Sequence, residues 1–181
     1  YYLETRDALL RLNIDPDEFA AGRAVLLLKP DAAVTGGMSR ALSWLVTNDY
    51  RIVGAHPVAL THLHLRALWY FNWHRATSER RRLADQLAQM SSSLVVLVTR
   101  PDDGADRPPV SVRLTADKGP ADPELRQPGH LRSALASGTY LLNQVHSPDD
   151  PDDVLRELSI YFAEPELRDV VSAWAAGIDA A

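Results

Sequence analysis

Apolar positions along the chain form continuous runs and helically spaced patterns, which together predict strands alternating with helices. Two continuous runs of strand length, at 24–29 (AVLLLK) and 93–100 (SLVVLVTR), predict strands that are buried on both faces. Two further strands are predicted at 50–60 and 138–146, and the first of these is expected to be interrupted at Pro57. Pro30 is expected to end the first strand.

Helical spacing of apolar residues fills most of the sequence between these strands. A short helix is predicted over 15–22, where Asp15 can cap the first turn, Pro16 suits that turn and Gly22 ends it. Residues 101–109 are predicted to be a loop, and 110–129 give no clear pattern. The other predicted helices lie at 1–12, at 36–49, as a pair within 61–90, from Asp150-Pro151 onward, and at 163–176.

This order of elements implies a sheet covered by helices. We predict an α/β (α+β) fold, namely a ferredoxin-like sandwich with a four-stranded antiparallel sheet covered by helices. A small doubly wound sheet is the competing topology. The 181 residues are enough for one compact domain with a core, and the chain contains no internal repeat.

Composition narrows the classes of function. A hydrophobic content of 46% argues against disorder, and no apolar run approaches the ~20 residues of a membrane span. With a net charge of −5, we expect no nucleic acid and no membrane among the partners. The absence of cysteine excludes disulfides, a thiolate nucleophile and cysteine-based zinc sites. No export signal is recognisable, so the cytoplasm is the expected location.

The segment 143–162 (NQVHSPDDPDDVLRELSIYF) places a histidine where a predicted strand gives way to a loop before a helix. Such junctions expose side chains and gather backbone N–H groups. Glu157 follows His146 by eleven residues, and a helix that folds back would bring its carboxylate to the imidazole. That contact would fix the tautomer and leave the other ring nitrogen free to attack. From these residues alone, His146 can also be a solvated loop histidine, and both interpretations stay open.

Several cations are candidates for an anion site. Lys29 directly follows a predicted buried strand, and ligands of α/β folds gather at strand ends. Lysine is rare here, since the chain has 17 Arg and only two Lys. Arg132 in PGHLRS and Arg113 add guanidinium groups, which match phosphate oxygens. An ordinary strand-end lysine and surface arginines are the alternative interpretation.

Three other clusters favour structural interpretations. ERRRL at 79–83 can be a phosphate patch, although a solvated helix face is favoured, and LWYFNWHR at 68–75 is more typical of core than of a ligand platform. His62 and His64 are two residues apart and could ligate a metal if they lay on a strand. No other ligands are in register with them, so we predict no protein-bound metal and give a metal-dependent hydrolase little support.

Taken in order, several motifs resemble the nucleoside diphosphate kinase family. In that family the histidine lies in an Asn-x-x-His-Gly-Ser-Asp pattern with a glutamate eleven residues after it. The resemblance covers roughly residues 24–174, so we predict an N-terminal helical extension at 1–22 and a nucleoside diphosphate kinase-like domain at 23–181. The motifs are LLLKPDAAVTGG, WY at 69–70, LADQLAQMSSSLVVLV, PGHLR, and NQVHSPD followed by LRELSIYFAEPEL.

The resemblance implies a phosphotransferase that moves the γ-phosphoryl of a nucleoside triphosphate to a nucleoside diphosphate or related acceptor. His146 would carry the phosphoryl, Glu157 would orient its ring, and Lys29 would contact the transferred group. Mg²⁺ would arrive with ATP or another nucleoside triphosphate, with Asp149 nearby. A homo-oligomer is also expected. The other implied nucleotide contacts are Tyr70, Leu83, Leu87, Arg113, Lys118, Arg132, Tyr140 and Asn143.

The resemblance also gives these contacts individual roles. Asn143 would contact the sugar, Arg132 and Arg113 the phosphates, and Tyr70 would lie near the histidine. Where the family has a base-stacking phenylalanine, this chain has Leu83, with Leu87 one turn later. Tyr140 is our candidate for supplying the missing stacking surface.

Two departures from the family motifs affect the phosphate site. The Gly-Ser pair after the histidine is Ser147-Pro148 here, and Lys118 stands near an expected threonine, which would replace a hydroxyl by a charge. The loop at 101–127 also looks remodelled. These differences motivate the alternative of a non-catalytic nucleotide-binding or interaction module on the same fold.

Overall fold

Four strands form one antiparallel sheet in the computed structural model, which describes residues 1–101, 107–136, 138 and 142–179. The sheet order is β2-β3-β1-β4, and each neighbouring pair is antiparallel. With helices in the connections, this is the ferredoxin-like order, so the predicted fold class is confirmed. A doubly wound sheet requires parallel strands and is therefore wrong. The strands are β1 (Arg23–Leu28), β2 (Arg51–Val58), β3 (Ser93–Thr99) and β4 (Val145–His146).

The helices cover both faces and the ends of this sheet. In the described part of the chain, none is long and apolar enough to cross a membrane. Short 3₁₀ turns lie at Trp73–Arg75 and Pro123–Leu125. The α-helices are α1 (Tyr2–Arg11), α2 (Pro16–Ala21), α3 (Pro30–Val34), α4 (Gly37–Thr47), α5 (His62–Leu68), α6 (Ser78–Met90), α7 (Val110–Lys118), α8 (Leu131–Ala134), α9 (Pro151–Tyr161) and α10 (Glu166–Asp179).

Strand β1 lies at the centre of the fold and every one of its residues is buried. Because successive side chains of a strand point to opposite faces, Val25 and Leu27 pack into one apolar cluster. Leu26 and Leu28 pack into the other. This two-sided burial explains the continuous apolar run in the sequence, and the strand ends where predicted, before Pro30.

Helices α1 and α2 pack against α9 and α10 and share their apolar cluster. The Phe19 ring meets the Trp174 ring edge-on at 5.3 Å, and the Arg23 guanidinium lies 4.1 Å from the centroid of the Phe19 ring. Asp15 caps α2 by accepting from the backbone N–H groups of Asp17 and Glu18, as predicted. Residues 1–22 therefore support α9, the helix that carries Glu157. Their separation as an extension stays a prediction.

Thr5 offers a test of the packing between α1 and the rest of the core. Its side chain is fully buried on α1, and its hydroxyl has no hydrogen-bond partner. Replacing the hydroxyl by a methyl group removes an unsatisfied polar atom, so Thr5→Val is expected to raise the free energy of unfolding by about 1 kcal/mol. Thr5→Ala should instead lower it by about 1 kcal/mol because a buried methyl is lost. Urea unfolding of both variants measures these changes, and a destabilised Thr5→Val would contradict the described packing.

Two predicted strands differ from the structure. Strand β2 continues through Pro57 because β2 is an edge strand. On its outer side no neighbouring strand requires a backbone N–H, so the N–H that proline lacks is not missed there. The strand predicted at 138–146 reaches only Val145–His146 in the described residues, since Gln144 has a left-handed φ of 59° that an extended strand cannot continue through. The patternless segment 110–129 contains α7.

Candidate active site

The His146 imidazole and the Glu157 carboxylate are in direct contact. His146 Nε2 lies 2.8 Å from Glu157 Oε1 and 3.0 Å from Oε2. Glu157 is 1% exposed on α9, and the Tyr161 hydroxyl donates to its Oε2 at 2.9 Å. Burial, reinforced by the nearby carboxylate, raises the pKa of Tyr161 well above its ordinary value, so the phenol remains a donor. The carboxylate engages Nε2 and leaves Nδ1 as the nitrogen available for chemistry.

Trp69 packs against the other side of the histidine. Its ring lies edge-on to the His146 ring, with centroids 5.3 Å apart and planes at 69°. The neighbouring Tyr70 is 72% exposed, contacts Phe71, and is not among the described residues that line the site cavities. The resemblance pointed to Tyr70, whereas the structure places Trp69 beside the histidine. Helix α5 ends at Leu68, and the turn that follows decides which of the two aromatic residues faces inward.

Lys29 lies between the end of β1 and the start of α3, close to the segment before His146. Its ammonium donates to Asn143 Oδ1 and is 3.9 Å from Asp31 Oδ2. Its backbone N–H donates to the Gln144 carbonyl at 2.9 Å, and the Gln144 N–H donates to Asp31 Oδ2 at 2.9 Å. Burial lowers the pKa of Lys29 to about 8. Lys29 and Asn143, which were predicted as separate site residues, are thus brought together beside the sheet.

Arg132 and Lys118 complete a group of buried cations around the histidine. Arg132 is 8% exposed, and its Nη1 and Nη2 donate to the carbonyls of Gly119 at 2.6 Å and Val145 at 3.3 Å. Lys118 ends α7, and its Nζ donates to Ser147 Oγ at 2.6 Å. Burial, followed by the Arg132 charge, lowers the pKa of Lys118 to about 8. Three separate segments of the chain therefore supply Lys29, Lys118 and Arg132 to one site.

Two cavities of about 460 and 420 Å³ meet at the histidine. Both are lined by His146, Arg132, Trp69 and Asn72. The larger cavity also contains Lys29 and Asn143, and its described lining has no carboxylate. The smaller also contains Lys118, Thr115, Ser147 and Asp149. This arrangement suits an anionic ligand that reaches the histidine.

The larger cavity has an apolar end between the sheet and α6. Leu87 lines that end, and Leu83 and Arg113 are not among the described residues lining either cavity. Their predicted nucleotide contacts stay predictions. Tyr140 lies outside the described residues. Arg80 and Arg81 line this cavity without being buried, so the solvated helix face predicted for ERRRL borders the site.

The described residues contain no group of three or more His, Cys, Asp or Glu side chains placed to hold a metal ion. His62 and His64 lie on α5 rather than on a strand, and His64 Nδ1 accepts from the Thr61 backbone N–H at 2.9 Å as part of the helix cap. Asp149 is the carboxylate in the described lining of the smaller cavity. Magnesium carried by the nucleotide stays a prediction.

Fold and site together define a transferase of the kinase class, since an oriented imidazole among buried cations suits phosphoryl transfer. Comparison with known proteins makes the assignment specific. Residues 22–167 match the family model described as nucleoside diphosphate kinase, and the chain belongs to this family.

Curated relatives agree with this assignment, and solved structures share the fold. The nucleoside diphosphate kinase of Thermococcus kodakarensis is 27% identical over 153 residues, which cover 83% of this chain and 82% of that one. The Thermomicrobium roseum enzyme is 28% identical over 146 residues, covering 80% and 90% of the two chains. The Aquifex aeolicus nucleoside diphosphate kinase structure has a TM-score of 0.62 at 20% identity, covering 80% of this chain and 96% of that one. The structure of a transition-state mimic of the Borrelia burgdorferi nucleoside diphosphate kinase with bound vanadate and ADP has a TM-score of 0.59 at 17% identity. It covers 80% of this chain and 88% of that one.

Proposed function

We propose that this chain transfers the γ-phosphoryl group of a nucleoside triphosphate to a nucleoside diphosphate or a related acceptor through a phosphohistidine at His146. The observation that carries the proposal is the contact between His146 Nε2 and the buried Glu157 carboxylate. A protein that only bound nucleotides would not need an imidazole held in one tautomer. The non-catalytic alternative is therefore less well supported.

The first half of the reaction forms one bond and breaks one. Nδ1 of His146 attacks the γ-phosphorus, a nitrogen–phosphorus bond forms, and the bond to the β,γ-bridging oxygen breaks. The departing nucleoside diphosphate keeps that electron pair. Nε2 retains its proton, and Glu157 stabilises the positive charge that the ring acquires. In the second half, an oxygen of the acceptor's terminal phosphate attacks the same phosphorus. The nitrogen–phosphorus bond breaks, its electron pair returns to Nδ1, and the free imidazole is restored.

The cations of the site compensate the charge that spreads over the phosphoryl oxygens in the transition state. We assign the transferred group to Lys29, with the other phosphates near Arg132 and the sugar near Asn143. These residues are preorganised by contacts with the protein, so little reorganisation is required when the phosphates arrive. Mg²⁺ would be held on the nucleotide's own phosphate oxygens near Asp149 and would add further charge compensation. Assembly into a homo-oligomer, as the family implies, is part of this proposal.

A labelling experiment tests the function. The purified chain is mixed with γ-³²P-ATP and Mg²⁺, quenched, and examined for label on the protein that is labile in acid and stable in base. We expect such label, and we expect added nucleoside diphosphates to remove it as labelled triphosphates. Absence of label from the folded wild-type protein would contradict the enzyme proposal and favour the binding module. Comparing acceptors in the second step would identify the preferred one.

A further inference from the structure

Lys118 has a buried ammonium group that contacts no carboxylate among the described residues. Its side chain is 5% exposed, and the contacts of its Nζ are Ser147 Oγ at 2.6 Å and the Ser147 carbonyl at 3.4 Å. In the described part of the chain, no carboxylate forms an ion pair with it. A buried charge is costly unless it is paired. Lys29, by comparison, has Asp31 at 3.9 Å.

The charges that face Lys118 do not provide a close partner either. From α8, the Arg132 guanidinium repels it, while Asp149 in the loop after His146 and Glu157 on α9 attract it through space. Glu157 is already engaged by His146 and Tyr161. The ammonium nevertheless lines the cavity that contains His146. An anion in that cavity would supply the missing negative charge.

The two hydroxyl groups near Lys118, those of Thr115 and Ser147, already donate hydrogen bonds within the protein. Thr115 Oγ1 donates to the Pro148 carbonyl at 3.0 Å, so in its 3.1 Å contact with Ser147 Oγ the serine is the donor. Ser147 Oγ in turn accepts from Lys118. Each hydroxyl therefore donates its one proton to another group of the protein. The Lys118 ammonium donates to two Ser147 oxygens and has a third N–H left to donate to a ligand.

We propose that Lys118 is a catalytic residue whose ammonium contacts the phosphoryl group moving to and from His146, and that Ser147 is the positioning residue that aims it. This inference rests on the proposed function. It gives a reason for both departures from the family motifs. The Lys118 ammonium replaces the threonine hydroxyl that the family motif leads us to expect. Ser147, directly after the histidine, positions this ammonium, whereas the family has its serine one residue later.

Single-turnover labelling with γ-³²P-ATP tests the proposal on Lys118→Met, with Arg51→Met as the control. Arg51 is an exposed cation on β2 and is not among the described residues that line either cavity. Arg51→Met removes one positive charge, as Lys118→Met does, but away from the site. Removing one donor to transition-state charge typically costs about 10²–10³-fold in rate, and this loss is expected for Lys118→Met. Arg51→Met should label at the wild-type rate. Equal labelling rates in Lys118→Met and wild type would overturn the proposal.

A chemical rescue separates a catalytic from a structural role. Lys118→Ala leaves space for a small amine, so added ethylammonium is expected to restore its labelling rate at least tenfold, without affecting Lys118→Met. A folded Lys118→Ala that labels slowly and is not rescued would speak against a catalytic ammonium. If Lys118 variants do not fold, Ser147→Ala keeps the ammonium but removes the closer of its two acceptors. It should then label several-fold more slowly, and an unchanged rate would overturn the proposal.

The pH profile gives an independent readout. Lys118 is protonated below its pKa of about 8, so wild-type labelling should fall as pH rises through this range. Lys29 has a similar pKa, so two protons are lost together and the fall should be steep. Lys118→Arg keeps its charge, so the remaining activity should fall with a shallower slope. An identical slope in both proteins would count against Lys118. Failure of the wild type to label at all would instead contradict the proposed function.

Discussion

His146→Gln is expected to reduce phosphoryl labelling by about 10⁴-fold or more, because the substitution removes the nitrogen that forms the bond to phosphorus. The glutamine amide can still donate a hydrogen bond to Glu157, so the buried carboxylate keeps a partner. The fold should therefore survive, and the loss of activity should reflect chemistry rather than unfolding. Single-turnover labelling with γ-³²P-ATP measures the rate, and thermal unfolding checks the fold.

A matched control is available on a neighbouring surface. His74 is exposed in the 3₁₀ turn after α5 and does not line either cavity among the described residues. His74→Gln makes the same chemical change and should leave labelling at the wild-type rate. Retention of acid-labile label in His146→Gln would show that another side chain is the nucleophile.

The fold was predictable from sequence where burial alone determines an element. Strands β1 and β3 are buried on both faces, and a continuous apolar run records that directly. The edge position of β2, which lets it continue through Pro57, depends on the strand order and cannot be read locally. The late start of β4 depends on the left-handed Gln144, which its tertiary contacts hold in place. Glutamine carries no sequence signal for that conformation.

Spacing and family resemblance together predicted the central pair of the site. A helix that starts at Pro151 directly after a loop can fold back on β4, and the structure brings Glu157 to His146 in this way. Lys29 follows the buried strand β1, as the apolar run before it indicated, whereas Asn143 lies outside β4 and not within a strand. Trp69 was missed because two adjacent aromatic residues at a helix end differ only in the direction that the turn gives them. Propensities and spacing do not encode that direction.

The charge at Lys118 was visible in the sequence, but its partner was not. Lys118 and Ser147 are 29 residues apart, and their contact depends on how α7 packs beside the loop after β4. Sequence alone gave two unrelated departures from family motifs. The structure joins them in one hydrogen-bonded group, so substitutions that look damaging one at a time can compensate each other in space.

Replacing Glu157 by Gln is the second change with a large expected effect, because it alters which nitrogen of His146 carries the proton. The carboxylate accepts from both His146 Nε2 and the Tyr161 hydroxyl, whereas an amide has one oxygen and one NH₂ group. If the oxygen of the glutamine amide accepts from the Tyr161 hydroxyl, its NH₂ group donates to His146 Nε2. Nε2 must then be unprotonated, and the ring proton lies on Nδ1. That tautomer has no free nitrogen to attack phosphorus.

We expect Glu157→Gln to slow labelling about 10²–10³-fold while nucleotide affinity changes little, because the carboxylate orients the nucleophile and is not among the described residues that line either cavity. Tyr161→Phe is the matched comparison, since it removes one donor to Glu157 but leaves the carboxylate, and it should cost only a few-fold. Single-turnover rates and equilibrium binding of ADP measure the two effects separately. If a folded Glu157→Gln variant is labelled at the wild-type rate, a contact other than that with Glu157 sets the tautomer of His146. If the variant loses much of its affinity for ADP, the carboxylate contributes to nucleotide binding.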